Sequence, residues 1–285
     1  MMRKFNKNAN KFVYLNLLVL FFISPAYGED KLSQRIVSID PSVTEEIYML
    51  GAGDRLKGST IYCKRPEEAK NNEKIGTFLN VNLEKIVSIN PDIIFNTPLT
   101  DRRAVKKLKS LGFRLVEFSQ PKCFSQVCDQ FLKIGEIIGN DKKSREIVDL
   151  ADNNLNKIKD AVKNLNRKKV FVQVGAKPLF TVNKDSFIND LINLAGGINI
   201  GRDSKKGIFS REEVIRNNPD CIIITAMGIA GEDEKRTWQK FKNLRAVKND
   251  NIYIFDAERL CSPNPVTFVD LVKEFALILH PNLEI

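Results

Sequence analysis

Histidine and tryptophan are almost missing from this 285-residue chain, which holds one of each, His280 and Trp238. A lone histidine excludes metal sites built from several imidazoles and argues against a histidine-based triad, for which His280, next to Pro281 near the C-terminus, would be the only base. The G-x-S-x-G elbow, the phosphate-binding P-loop and the G-x-G-x-x-G fingerprint are all absent. Carboxylates are scattered, so an acid–base pair is the one catalytic arrangement left open, and the expectation is a protein that is not an enzyme. No low-complexity tract and no Gly/Ser linker interrupts the chain. The formal net charge of +10 is modest and dispersed, which argues against nucleic acid as a partner.

What is present begins with an export signal. Arg3, Lys4, Lys7 and Lys11 form a basic stretch, residues 12–23 are apolar apart from Asn16, and Ala26-Tyr27-Gly28 offers small residues at a cleavage site. The apolar run is short for a bilayer span. Cleavage near Gly28 leaves a soluble, periplasmic chain of roughly 257 residues carrying about +6, because residues 1–28 hold four basic residues and no acidic ones.

Residues 142–166 contain no glycine or proline. Ile147, Ala151, Leu155, Ile158, Val162 and Leu165 recur at steps of three and four, so they form one apolar stripe on a long helix capped by Asp141. Such a helix is either a core element or a strut, and an internal repeat favours the strut. Shifted by 128 positions, Glu84 falls on Glu212, Asn90 on Asn218, Pro91 on Pro219 and Asp92 on Asp220. Each copy has a capping residue (Asn82, Ser210), a short helix, an Asn-Pro-Asp turn and a β-rich run. A repeat at this distance implies two related lobes.

Strands alternate with helices over short turns on both sides of the strut. The expected fold is α/β: two lobes with mainly parallel central sheets, bridged by one long α-helix. The boundaries are 1–28 for the signal, 29–140 for the first lobe, 141–167 for the bridge and 168–285 for the second lobe. Ser42 with Glu45 fits a capping box on the first helix, and residues 228–250 are ambiguous. A rigid helical connection implies little flexing between lobes.

Among the five cysteines, Cys221 opens a buried strand and reads as a free core thiol. Cys123 and Cys128 are close enough to pair locally. Cys63 and Cys261 both follow strands and could meet at a cleft; free thiols are the alternative for both pairs. Glu84 and Glu212 each lie two residues past a helix cap, where a carboxylate favours the helix dipole. Their equivalence in the repeat also suits docking to a two-fold symmetric, basic partner.

The segments R35-I-V-S-I-D-P-S-V-T-E45, L50-G-A-G-D-R-L-K-G58, Y62-C-x-x-P66, N82-L-E84, N90-P-D92, F171-V-Q-V-G175 and S210-R-E212 resemble the helical-backbone (class III) substrate-binding proteins of ABC importers, above all the cobalamin-binding type. The resemblance implies a monomeric receptor that holds a corrinoid or another metal chelate between its lobes. It also implies that Glu84 and Glu212 dock to arginines of a permease dimer in the inner membrane. Ferric siderophore or haem is the alternative ligand, and an exported hydrolase on a related scaffold is the alternative class. The family's cleft is built from loops at the carboxyl ends of strands. Here that selects Asp40, Ser42, Tyr62, Cys63, Phe78, Thr97, Lys177, Phe180, Met227 and residues 256–261, including Asp256 and Arg259. Tyr62 would stack on a ring or, as in haem-binding relatives, coordinate iron. Lys177 and Arg259 would pair with an anionic group of the ligand. No cofactor and no other direct metal ligand is expected.

Overall fold

The computed structural model describes residues 35–226 and 230–285, so the expected signal segment and Met227 lie outside the described residues. The first lobe is built on β1 (Ile36–Ser38), α1 (Pro41–Met49), β2 (Leu56–Ser59), β3 (Glu73–Lys74), α2 (Leu83–Ile89), β4 (Ile93–Asn96), α3 (Arg102–Ser110) and β5 (Leu115–Glu117). Its five strands run in the order β3-β2-β1-β4-β5 and every pair is parallel. Strands covered on both faces read as apolar runs, and Ile93, Ile94 and Phe95 are all buried.

Two helices follow, α4 (Phe124–Ile138) and α5 (Asp141–Val162). The second lobe then adds β6 (Lys168–Gly175), β7 (Phe180–Thr181), α6 (Phe187–Leu194), β8 (Gly197–Asn199), α7 (Arg211–Asn217), β9 (Cys221–Ala226), α8 (Ala230–Gln239), α9 (Arg245–Lys248), β10 (Ile252–Asp256), α10 (Ala257–Cys261) and α11 (Pro265–Leu279). Its sheet runs β10-β9-β6-β7, parallel except where β7 turns back along the end of β6; β8 pairs in parallel with the start of β6. The α/β architecture of two lobes bridged by a long helix is therefore the one expected.

The repeat has a structural counterpart. Asn90 and Asn218 end α2 and α7 in the left-handed region, at φ 49° and 46°, a conformation asparagine tolerates better than most residues. Asp92 then donates its N–H to Arg35 O (2.9 Å) and accepts the Arg35 N–H on its carboxylate (2.9 Å). Asp220 makes the same reciprocal pair with Lys169, at 2.8 Å in both directions. The Arg35 and Lys169 side chains each donate to the last carbonyl of the neighbouring short helix, Ile89 O and Asn217 O. One device thus fixes a short helix to the start of a strand in each lobe.

The bridge differs in detail from its sequence reading. It spans 22 residues, and Asn140 occupies the cap position, with Asp141 as the first helical residue. The helix stops at Val162, the last stripe residue with a packing partner at hand, beside Gly196 and His280. Leu165 is 38% exposed and lies beyond it. The cap of α1 is also different: Asp40 accepts the N–H groups of Ser42 and Val43, while Glu45 turns to Arg65, so the capping box expected of Ser42 and Glu45 is not formed. Residues 228–250, ambiguous in sequence, include α8 and α9. Trp238 of α8 is buried in the second-lobe core, edge-on to Phe171 at 5.7 Å, with its indole N–H donating to Gln173 Oε1 at 2.7 Å.

The lobes share more than one helix. Phe124, Val127 and Cys128 at the start of α4 belong to the second-lobe core, and Phe131, Ile134 and Ile138 at its end belong to the first. On α5 the order reverses: Ile147 packs on the first core, Val148 on both, and Ala151, Leu155, Ile158 and Val162 on the second. Hydrogen bonds fix both ends of α4. Asp190 of α6 accepts the Phe124 N–H (2.8 Å), and burial raises its carboxyl above the usual range. Arg55 of the first lobe donates to Ile138 O (2.9 Å), and the Asn140 amide donates to Leu50 O (2.6 Å).

The two helices meet at Gly135, where a Cβ would sit 2.3 Å from Ser144 Oγ. Alanine normally favours a helix over glycine by roughly 0.5–1 kcal/mol. Here the overlap reverses the sign, and Gly135→Ala is expected to lower unfolding stability by about 1–3 kcal/mol. Urea denaturation checks this, with Ser144→Gly restoring part of the loss and both lobes unfolding in a single transition.

Candidate ligand-binding cleft

The carboxyl ends of β2 and β10 face one cavity of about 780 Å³. Pro41, Tyr62, Lys64, Arg65 and Phe78 of the first lobe line it, opposite Ile254, Phe255, Asp256, Ala257, Glu258, Cys261 and Ser262 of the second. Both the size and the position at strand carboxyl ends suit a small-molecule site.

The first wall is a loop held from beneath. Cys63 is fully buried, with its Sγ 3.0 Å from Thr44 Oγ1 and 3.2 Å from Thr60 Oγ1. Lys74 Nζ donates to Ala69 O (2.8 Å), Ser59 Oγ (3.2 Å) and Cys63 O (3.4 Å). Burial lowers its pKa below the ordinary lysine value. With Cys63 turned inward, its neighbours Tyr62 and Lys64 project into the cavity. Tyr62 and Phe78 form a tilted aromatic pair, centroids 5.7 Å apart. They give the first wall an apolar face with a phenol at hand.

Charge crosses the cleft beside that face. Lys64 Nζ lies 2.7 Å from Glu258 Oε1. Arg65 pairs with Glu45 at 2.9 Å and donates to Glu258 O (3.0 Å) and Ser262 O (3.4 Å). Burial raises the Glu45 carboxyl, against the opposing pull of Arg65. The Lys64–Glu258 pair is about half exposed on both sides and contributes little stability, so it orients side chains more than it holds the lobes.

Of the residues singled out in sequence, the structure brings Tyr62, Phe78 and Asp256, with Ala257, Glu258 and Cys261 of the 256–261 stretch, to the cavity wall. It places the others elsewhere among the described residues. Cys63 is the buried anchor just described. Ser42 is bound to Asp40 through both its N–H and its hydroxyl. Thr97 spends its hydroxyl on the Leu99 N–H. Lys177 is exposed on the turn between β6 and β7, and Phe180 packs over Gly175. Arg259 pairs with Glu274 at 2.7 Å and is not among the residues that line the cavity.

All five cysteines are free, the alternative left open for both candidate pairs. Cys63 faces inward while Cys261 is exposed on the cavity side. Cys128 is buried in the second-lobe core, with its thiol pushed up to about 12 by burial, while Cys123 hydrogen-bonds Ser125 outside that core. Cys221 is buried and its thiol is likewise raised to about 12, in line with a core thiol.

Sequence reasoning missed Pro41, Lys64, Arg65, Ile254, Phe255 and Ser262. The adjacent cations Lys64 and Arg65, in a loop directly after a strand, were a readable signal. The apolar wall of β10 was not, because its residues look like any buried strand.

Residues 36–258 match the sequence profile of a family described as periplasmic binding protein. The chain belongs to the periplasmic binding protein family. Its relatives include an ABC transporter substrate-binding lipoprotein of Bacillus subtilis, YvrC, 31% identical over 260 residues that cover 88% of this chain and 82% of the relative. The vitamin B12-binding protein of Vibrio cholerae is 28% identical over 90% of this chain and 94% of its own length. Its crystal structure superposes with a TM-score of 0.75, covering 87% of this chain and 97% of that one at 27% identity. A possible iron-binding periplasmic solute-binding protein of Staphylococcus epidermidis superposes with a TM-score of 0.76, at 30% identity over 88% of this chain and all (100%) of that one. Periplasmic binding proteins of this family bind substrates for transport, and ABC substrate-binding proteins work with a membrane permease. Family membership therefore points away from the hydrolase alternative.

Beside Glu45 on α1, Glu46 is fully buried; its Oε2 accepts a 3.4 Å contact from Gln130 of α4, and Oε1 has no hydrogen-bond partner. Burial, with smaller contributions from Asp40 and Glu45, raises its carboxyl well above the ordinary 4.5. The native state thus holds a proton that the unfolded chain releases. This contribution to stability is complete below pH 4.5 and falls as pH rises toward the raised native value. Glu46→Gln is expected to unfold at higher urea than the parent at neutral pH, with the gap closing as pH drops to 4.5; a gap independent of pH would contradict the assignment.

Proposed function

We propose that the protein is the periplasmic substrate-binding component of an ABC importer, exported by residues 1–28, which takes a corrinoid into the interlobe cleft and delivers it to the permease. The observation that carries this reading is the cavity of about 780 Å³ with the Tyr62–Phe78 aromatic pair on one wall and the apolar end of β10 opposite. A flat macrocycle has two apolar faces and a polar rim. It would lie against the aromatic pair with its rim toward Lys64, Arg65, Asp256 and Glu258. The similarity to the vitamin B12-binding protein of Vibrio cholerae over most of both chains supports a corrinoid.

The second reading is a ferric siderophore or haem. Tyr62 favours it, because a phenolate is an oxygen donor for ferric iron, as does the similarity to the possible iron-binding protein of Staphylococcus epidermidis. Delivery rests on Glu84 and Glu212. Both are exposed at the second position of their helices, and neither has a hydrogen bond or ion pair among the described residues. They are free to meet cations of a two-fold permease.

Fluorescence-quenching titrations with cyanocobalamin, haemin and a ferric catecholate separate the ligands. Cyanocobalamin is expected to saturate the protein, and Tyr62→Ala or Phe78→Ala to weaken it by about tenfold, the loss of one good aromatic contact. Absence of micromolar binding to any corrinoid would sink the first reading, and tight haemin binding lost in Tyr62→Ala would establish the second. For delivery, Glu84→Lys with Glu212→Lys should abolish uptake while leaving ligand affinity intact; surviving uptake would remove the docking role.

A further inference from the structure

Beyond the carboxylates, the repeat also matches the residues one turn along the same two helices. At the shift of 128 that pairs Glu84 with Glu212, Val87 falls on Ile215. Val87 is 45% exposed and Ile215 is 39% exposed. Their preceding neighbours, Ile86 and Val214, are the buried anchors of α2 and α7, both at 0%. The paired burial of Ile86 and Val214, the left-handed Asn90 and Asn218, and the Asp92 and Asp220 clamps repeat because both lobes need them to fold. Val87 and Ile215, by contrast, belong to neither lobe's buried core, although Ile215 borders a surface hollow with Phe241 and Leu244.

Position explains the recurrence. On an α-helix, residues three apart lie on one face with Cβ atoms about 5–6 Å apart. Glu84 and Val87 therefore form one compact patch on the first lobe, and Glu212 and Ile215 form its equivalent on the second. Residues between them differ in local duty: Lys85 pairs with Glu73, while Glu213 closes the capping box with Ser210. The acidic and apolar members of each patch carry no such internal bond among the described residues.

We infer that Val87 and Ile215 are docking residues, each seating in an apolar recess of the permease beside the cation that receives Glu84 or Glu212. This rests on the proposed delivery function and adds to it. The charges steer and orient, whereas the apolar pair excludes water around them and slows dissociation. The partner surface is defined by its chemistry. It is a two-fold related pair of sites, each offering a basic side chain with an apolar hollow about one helical turn away, roughly 5 Å along the axis.

The test is binding of the full-length mature protein to its cognate permease complex in lipid nanodiscs. Val87→Thr changes polarity with little change of shape and Ile215→Thr changes it with the loss of one methyl group, while Val87→Leu and Ile215→Leu keep the apolar character. Each threonine variant is expected to bind about tenfold more weakly and the pair about a hundredfold, the leucine variants staying close to the parent. Melting temperature and cyanocobalamin or haemin affinity should not move. If the double threonine variant binds like the parent while Glu84→Lys with Glu212→Lys does not, the apolar contact is refuted and charge-based docking stands. If the lysine variants also bind normally, docking through these helices is refuted altogether.

Discussion

The exchange of apolar side chains between α4 and α5 is the constraint on which the rest of the molecule depends. α4 gives half of its buried apolar face to each core; α5 meets the first core through Ile147 and Val148 and gives Ala151, Leu155, Ile158 and Val162 to the second. Neither lobe can complete its interior without the segment that also completes its neighbour. Removing either contact would expose several large side chains to water, at roughly 1.5–3 kcal/mol each when fully buried. The gap at Gly135, which lets the helices approach closely, makes this seam a single packed layer.

The site inherits its geometry from that seam. The cleft walls stand at strand ends of two separate sheets, so their spacing is set by what lies beneath them. Arg55 and Asn140 bind the first lobe to the end of α4, and Asp190 binds the second lobe to its beginning. Upon this base the Cys63 and Lys74 contacts shape one wall, and the Asp256 cap of α10 shapes the other. Glu84 and Glu212 are fixed by the same means, through α2 and α7 clamped to β1 and β6 by Asp92 and Asp220. The cleft walls and the helices that carry Glu84 and Glu212 thus rest on one shared framework.

Much of the fold could be read from the chain because its signals are local and periodic. The α5 stripe, the caps at Asn82 and Ser210, and the twin Asn-Pro-Asp turns each follow from a residue's own conformational preference. The end of α5 could not be read, because the pattern continues to Leu165 while the packing partners stop at Val162. The Ser42–Glu45 capping box failed for a related reason: Asp40 offered a closer acceptor and Arg65, distant in sequence, captured Glu45. At the site, Tyr62 and Phe78 were legible from the strand ends they follow. The inward turn of Cys63 was not legible, since sequence shows that a loop follows a strand but not which of its side chains turns inward. The charge that spans the cleft comes from Lys64 and Glu258, 194 positions apart, and only folding brings them together.

The central claim is that two lobes locked through α4 and α5 form a receptor whose cleft takes a metal chelate with little change of lobe geometry. The most direct measurement is the inter-lobe distance distribution by double electron–electron resonance. Spin labels would be carried by unnatural amino acids on α3 and α8, without and with cyanocobalamin or haemin. The account predicts one narrow distribution that shifts only slightly on binding. A broad ligand-free distribution, or a large displacement on binding, would show a hinge where the structure has a shared core and would contradict it.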